Sequence, residues 1–435
     1  MTINQFVESI SSYLIEKRRS FHKMPELGFT EYVTTYRIFQ QLDELDFNIF
    51  VGEETLVADE RYGVPTQSEL DEAEVRACHN GVPQAFIEKM QGGQTGIVAV
   101  LDTGRPGPHT AMRFDIDALP IKESQDDEHL PASNGFRSTI EDCMHACGHD
   151  GHTTIGLGVA KFLHEHHDEL TGRYTLLFQP AEEGGRGAKA MVAKGWLDDV
   201  DYFLSGHLGI GDQEAGVVSA TSSRFLASSK LNVHFKGKSA HAGVEPNEGK
   251  NALLAAASAS LHLNSIPRHK DGATRVNVGR LEAGSGRNVI ADYAYMEMET
   301  RGETTELNQY MLEQAKRMID SSGQLYDVET EVEFMGEALN GRCDAEFLEL
   351  IPKANEDNRF VTGVIDTIEV GASEDVTFMM ERVQDQGGKA TFMIFPSSIP
   401  NGHHHPAFDF DEYSLKTAVS TFAHTIQYIN EQETI

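Results

Sequence analysis

Positive charge is scarce in this chain. Thirty-six lysines and arginines face 68 aspartates and glutamates, a formal net charge of −32 over 435 residues. So acidic a molecule repels phosphate backbones and anionic headgroups, which excludes nucleic acid and the membrane surface as partners. It also fits a salt-adapted surface, where ions screen the self-repulsion. Cysteine is sparse too. Cys78, Cys143, Cys147 and Cys343 give no disulfide framework, and a reducing cytoplasm is the expected compartment. No apolar run approaches the ~20 residues needed to cross a bilayer. The first 20 residues lack a basic-then-apolar leader pattern. Phe6, Ile10, Tyr13, Leu14 and Ile15 have the spacing of an amphipathic helix instead. What is present, 40% hydrophobic residues and mixed charge, describes a folded chain. Its length exceeds what one core usually supports, so two domains are expected.

The pattern along the chain is α/β. Segments 95–101, 109–114, 174–178 and 202–205 read as strands, with helices at 152–166 and 187–194. Such alternation implies a mainly parallel sheet with helices on both faces. Chemistry-bearing residues fall just past strand ends: Asp115 and Asp117 after the second strand, Glu182 and Glu183 after the third, His207 after the fourth. Open α/β sheets gather ligands at the carboxyl ends of their strands, so residues far apart in sequence can meet in one crevice. From about 223 the order becomes strand 231–235, helix 251–266, strands 275–281 and 292–300, helix 306–319 and strand 327–334. That is the βαββαβ order of a ferredoxin-like unit. The expected organisation is a catalytic domain of 1–222 and 339–435, interrupted by a lid or dimerisation domain of 223–338. Segment 52–93 is polar, carries an Ala-Glu-Val-Arg-Ala patch and is too long for an ordinary loop. It reads as a helical insertion beside the site or at a subunit contact.

The densest chemistry lies in Met144-His145-Ala146-Cys147-Gly148-His149-Asp150-Gly151-His152. Cys147 and His149, two apart, cannot share a helix face, but a loop that opens a helix can turn both toward one point. A thiolate with an imidazole suits zinc, manganese or cobalt better than calcium or magnesium. Taken alone, the pair fits a core or surface position equally well. Asp150 and His152 read either as groups orienting the ligands or as a helix N-cap and an ordinary first-turn histidine. Glu182-Glu183 stands between Pro180-Ala181 and Gly184-Gly185, at a corner that can aim neighbouring side chains at different targets. Metal-assisted amide hydrolysis needs that division: one carboxylate on metal, another accepting the proton of a water. His207 alone reads as a partly buried histidine. His403-His404-His405 is internal and runs into Pro406, unlike a purification tag.

The combination of RFDIDALP (113–120), MHACGHDGH (144–152), FQPAEEG (178–184), a strand-end histidine and GHHHP (402–406) resembles the aminoacylase/carboxypeptidase class of dinuclear metallopeptidases. More narrowly it resembles the amidohydrolase branch, with hippurate and indoleacetyl-amino-acid hydrolases, over nearly the whole chain. The insertion 52–93 and the stretches at 95–108, 184–192 and 275–290 narrow it to a subgroup acting on a folate breakdown product. The resemblance implies two divalent ions, Mn2+ or Zn2+, with Cys147 bridging them and His149, Glu183, His207 and His404 as further ligands. His404 best matches the last ligand because one residue separates it from Pro406. Glu182 matches the general base. Asp115 and Asp117 are implied to lie behind the ligands, Asp115 standing where related branches carry a histidine. In the inserted domain, His241 of Lys238-Ser239-Ala240-His241-Ala242-Gly243 matches a residue that reaches a partner subunit's site and stabilises the oxyanion. Asn288 and Arg301, with Arg287 beside them, match groups that hold the substrate carboxylate; on their own they read as a turn residue, a surface ion pair and a solvated side chain. The implied reaction is hydrolysis of p-aminobenzoyl-glutamate, an N-acyl-glutamate, to p-aminobenzoate and glutamate. Hippurate- or indoleacetyl-type conjugates are the alternative substrates. The implied assembly is a homodimer, or a heterodimer with a homologous B subunit. A non-catalytic subunit is the rival of another class, against which the complete set of ligands and base argues.

Overall fold

The computed structural model describes residues 1–433. Among the described residues there are twelve strands: β1 (Asn48–Val51), β2 (Ile97–Asp102), β3 (His109–Asp115), β4 (Arg173–Gln179), β5 (Tyr202–Leu208), β6 (Val217–Ser223), β7 (Ala227–Lys236), β8 (Thr274–Ala283), β9 (Tyr293–Gly302), β10 (Glu329–Ala338), β11 (Gly363–Glu369) and β12 (Lys389–Phe395). The chain divides into two compact units. One comprises Met1–Ser223, Arg342–Val370 and Asp375–Ile435; the other comprises Arg224–Gly341 and Gly371–Glu374.

The first unit is built on an eight-stranded sheet in the order β1-β2-β4-β3-β5-β12-β6-β11. Its centre, β4-β3-β5-β12, is parallel, while β1 and β2 add antiparallel at one edge. Every residue of β3 is buried, as expected of a strand covered on both faces. Phe114, Phe178 and Phe422 meet in the core, with ring centroids 5.7 and 5.5 Å apart. The helix His149–Glu165 runs against this cluster at Gly156, where a Cβ would stand 2.6 Å from the Phe178 ring. Only glycine permits that approach.

Three local expectations shift. The amino terminus forms two helices, Ile3–Ser9 and Ser11–His22, interrupted at Ile10, with Phe6 and Leu14 buried. The fourth strand continues through Leu208, so His207 lies within β5 and not after it. The helix expected from 152 starts at His149, because Gly148 at φ 92° supplies the left-handed turn that opens it. Segment 52–93 contains one full helix, Gln67–His79, with a capping box of Thr66 and Glu69, and otherwise short turns.

The second unit is a four-stranded antiparallel sheet, β10-β7-β9-β8, carrying the helices Ala252–Asn264 and Thr305–Leu325. This is the ferredoxin-like order. Asn251 and Thr304 cap the two helices through their side chains. Leu231, Val233, Phe235, Met296 and Met298 alternate inward to form its core with Ala255, Ala259, Met311 and Ala315.

Candidate metal centre

The Cys147 turn is pinned from both sides. Met144 and Leu119 exchange backbone hydrogen bonds of 3.1 and 3.0 Å, and Ala146 O accepts the His404 N–H at 2.8 Å. Gly148 then reverses the chain, so Cys147 precedes the helix and His149 begins it. The two side chains share a target: the ligand atoms of Cys147, His149 and His207 all lie within 4.8 Å of one another. Overlapping groups with the same spacing are Cys147, Glu183 and His404, and His149, Glu182 and Glu183.

Asp117 organises this convergence. Its Oδ1 lies 3.2 Å from His149 Nδ1 and accepts the Glu182 N–H at 3.1 Å, while Oδ2 accepts the Glu183 N–H at 3.0 Å. One carboxylate thus orients an imidazole and anchors both glutamates. With His149 Nδ1 also 3.0 Å from Asp117 O, the ring donates there and turns Nε2 inward. Burial opposes a charge on this ring, but the Asp115 and Asp117 carboxylates raise its pKa well above the usual imidazole value, so a bound cation would displace a proton from Nε2. His207 is fixed likewise, its Nδ1 donating to Leu208 O at 2.7 Å and its Nε2 lying 3.4 Å from Cys147 Sγ. Burial, then the neighbouring His152 and His403, holds its pKa well below the usual imidazole value, so the ring is neutral. Two corners carry backbone strain, Ala181 at φ 51° and His404 at φ 62°. Left-handed non-glycine residues cost ~1–3 kcal/mol each and persist where their surroundings hold them. Here Glu31 Oε1 accepts the Ala181 N–H at 2.9 Å, and Ala146 O holds His404.

Buried atoms without partners indicate what the cluster holds. His149 Nε2 and Glu183 Oε1 are buried and meet no hydrogen-bond partner among the described residues, although His404 Nε2 stands 3.4 Å from the latter. Burial, then the Glu183 carboxylate, pushes the Cys147 thiol well above its ordinary pKa. A thiolate there needs a compensating cation. Sulfur, imidazole and carboxylate donors around such a point fit a borderline divalent metal.

The model of Peptidase family M20/M25/M40 matches residues 111–428. The chain belongs to this family. Membership makes it a hydrolase of amide bonds. It is 44% identical to one of the subunits of p-aminobenzoyl-glutamate hydrolase from Escherichia coli over 425 residues, 98% of this chain and 97% of the relative. It is 43% identical to indole-3-acetyl-aspartic acid hydrolase of Enterobacter agglomerans over 424 residues, 97% of each. Among solved structures, an aminobenzoyl-glutamate utilization protein from Klebsiella pneumoniae superposes with a TM-score of 0.85 at 37% identity, covering 98% of both chains. A dinuclear metal-binding peptidase of the M20 family from Bacillus subtilis gives 0.67 at 25% identity, covering 98% of this chain and 99% of that one.

The remaining expected residues of this M20 chain divide by position. His403 donates to Leu208 O at 3.2 Å and packs its ring on Phe408, while His405 Nδ1 accepts the Ala407 N–H at 3.0 Å. Of the three histidines, only His404 belongs to a convergent group. Asp115 lies 2.5 Å from His152 Nδ1, and His152 Nε2 accepts the Leu208 N–H at 2.9 Å. His152 therefore steadies the backbone beside His207, both its nitrogens committed. The N-cap reading of Asp150 is corrected, since Gly148 occupies the cap. Asp150 instead accepts from Arg18 Nε at 2.8 Å and His22 Nδ1 at 2.9 Å.

In the second unit, His241 bridges to Val289, and Asn288 O accepts the Ala242 N–H at 3.0 Å. His241, Arg287 and Asn288 are thus brought together on exposed loops. The Gly243 N–H donates to His241 Nδ1 at 3.1 Å, which leaves the neutral ring's proton on Nε2. Arg301 pairs with Glu299 on its own strand through bonds of 2.9 and 3.0 Å.

Some supporting residues carry no motif. Glu31 holds Ala181, and Asp375 Oδ2 accepts the N–H groups of Gly187 and Ala188 at 3.2 and 3.0 Å. With Asp117, three buried carboxylates therefore pin segment 181–188. Insertion 52–93 abuts the same segment, the Tyr62 N–H donating to Arg186 O and Arg186 Nη1 to Gly63 O. A lone acid inside an ordinary helix or loop sequence has no spacing that distinguishes it from a solvated one.

Proposed function

We propose that this M20 chain hydrolyses the amide bond of p-aminobenzoyl-glutamate, using two divalent ions, Mn2+ or Zn2+, held by Cys147, His149, Glu183, His207 and His404. The observation that carries the reading is the convergence of those donors, from four separate stretches of chain, with Glu182 beside them. Identity of 44% to the E. coli p-aminobenzoyl-glutamate hydrolase relative, across 98% of the chain, supports the substrate. When bound, the ions would polarise the scissile carbonyl and lower the pKa of a water. Glu182, 7% exposed and fixed through its backbone by Asp117, accepts that water's proton and returns it to the glutamate nitrogen as the amide bond breaks. His241 reaches the site of a partner subunit and donates from Nε2 to the oxyanion developing there. Asn288, Arg287 and Arg301 hold the substrate carboxylates; Arg301 exchanges Glu299 for its ligand, and its planar fork suits a carboxylate. The chain works in the cytoplasm, paired with a copy of itself or with a homologous B subunit. No helix among the described residues is long and apolar enough to cross a membrane.

The indole-3-acetyl-aspartic acid hydrolase relative, 43% identical, motivates a second substrate reading with the same chemistry. Incubating the chain alone with Mn2+ or Zn2+ tests both. Release of p-aminobenzoate that a chelator abolishes is the expected result. Preference for indoleacetyl-aspartate would replace the substrate, and silence on both with metal bound would assign catalysis to a complex with a second subunit. Glu182→Gln is expected to keep its metal and lose roughly 10²–10⁴-fold in kcat.

A further inference from the structure

Behind the Cys147–His149 turn lies a buried ionic cluster with no part in the chemistry above. His22 is fully buried, and its ring stands between two carboxylates, Nδ1 2.9 Å from Asp150 Oδ2 and Nε2 2.9 Å from Glu123 Oε1. Other donors also converge on both acids. Asp150 accepts from Arg18 Nε at 2.8 Å and from the Gly151 N–H at 3.0 Å. Glu123 accepts from His129 Nε2 at 2.8 Å and from the Ser138 N–H at 2.6 Å. Carboxylates surrounded by donors are ionised and only accept. Both nitrogens of His22 must then carry protons, and the ring is an imidazolium.

We propose that His22 is a positioning residue whose buried imidazolium is a two-ended strut, tying the Cys147–His149 turn to the 117–123 segment and thereby setting the affinity of the metal centre. This rests on the metal-centre reading above. The geometry explains why the tie matters. Asp150 directly follows His149, and Glu123 lies on the segment that begins with Asp117, the acid orienting His149. The segments are also joined by the Leu119–Met144 backbone pair and by the His149–Asp117 hydrogen bonds, and His22 adds a tie at their far ends. A neutral His22 would set a lone pair against a carboxylate oxygen in a dry interior and drive them apart. Of the groups facing the ring, the two acids favour the cation, Arg18 opposes it and the others stay neutral. Arg18 on the same helix is committed to Asp150, Asp409 and Glu412. His145, its ring centroid 6.4 Å away, is held down to about 4 by burial and so is uncharged. Phe136 closes the side, its ring edge-on at 5.6 Å. Burial opposes the His22 charge, but hydrogen bonds to Asp150 and Glu123 outweigh it and raise its pKa to about 9.

The test uses the full-length chain stripped of metal, with Zn2+ competed against a chromophoric chelator from pH 6 to 10. His22→Gln is expected to bind Zn2+ about tenfold more weakly than wild type near neutral pH. The wild-type advantage should shrink as pH rises through about 9, where the strut loses its charge. A loss of folding alone would carry the same step in urea midpoints, so affinity is read only where both proteins are fully folded, and there a variant weakened only in folding would match wild type. Glu123→Gln, which keeps the ring, serves if His22→Gln does not fold, and should weaken Zn2+ binding in the same direction. A neutron structure at pH 7 should show deuterium on both His22 nitrogens. Unchanged affinity in the folded variant, or deuterium on one nitrogen alone, would overturn the strut while leaving the metal centre intact. Absence of Zn2+ binding in the wild type would overturn both.

Discussion

Replacing Asp117 by asparagine asks whether one carboxylate holds the centre together. The side chain keeps its size but exchanges one acceptor oxygen for an amide donor. If the new nitrogen faces Glu183, the Glu183 N–H loses its 3.0 Å acceptor; if it faces the other way, the Glu182 N–H loses its 3.1 Å acceptor and His149 Nδ1 keeps only the backbone Asp117 O at 3.0 Å. Either orientation opposes donor to donor inside the protein, since Asp117 is 1% exposed. An unpaired buried donor costs about 1–3 kcal/mol. Partners of ligating histidines typically contribute roughly 10–100-fold in metal affinity, or about 1.4–2.7 kcal/mol, the same size. The asparagine variant should therefore bind Zn2+ roughly 10–100-fold more weakly in chelator competition, with kcat/KM falling in parallel at limiting metal. Saturating metal should restore part of the loss. Binding within twofold of wild type would refute the idea that Asp117 orients the ligands.

Other perturbations separate the roles of neighbouring residues. His404→Gln should lose at least tenfold in Zn2+ affinity, whereas His405→Gln should stay near wild type; the reverse order would move the ligand along the tract. His241→Ala should bind metal normally and lose roughly 10²–10³-fold in kcat, as expected when a donor to an oxyanion is removed; an unchanged kcat would remove His241 from catalysis. Stability should depend on pH through the His22–Glu123 pair. Burial works against the Glu123 charge, but hydrogen bonds from His129 and His22 lower its pKa to about 2, so its contribution is complete above 4.5 and is lost as pH falls through 2. His22 is raised from 6.5 to about 9, so its contribution is complete below 6.5 and is lost as pH rises through 9. Urea midpoints should therefore be highest between about 4.5 and 6.5 from this pair. An alkaline decline that persists undiminished in His22→Gln would assign it to other groups.

The sequence by itself determined the kind of fold and the kind of chemistry. Runs such as 97–101 and 174–178 are continuous and apolar because their strands are covered on both faces, and the period change after 223 marks a sheet with one buried face. Cys147, His149, Glu182 and Glu183 stood out because thiol, imidazole and paired acids rarely crowd together without a cation. Strand ends and helix starts were placed a few residues off at Leu208 and His149, since a polar residue inside a buried strand, or an αL glycine opening a helix, breaks the periodic signal.

Tertiary structure alone decided the rest. It placed His404 in a group with Cys147 and Glu183 while giving His403 the Leu208 carbonyl and His405 the Ala407 N–H. It made Asp150 a partner of Arg18 and His22 from 128 or more residues away, where local spacing suggested a cap. It also supplied Glu31, Glu123 and Asp375, acids that look solvated in sequence yet are buried against backbone N–H groups of distant segments. Periodicity reports which side of an element faces the core. Which buried donor meets which acceptor depends on contacts between residues far apart along the chain, and these exist only once the sheet has assembled.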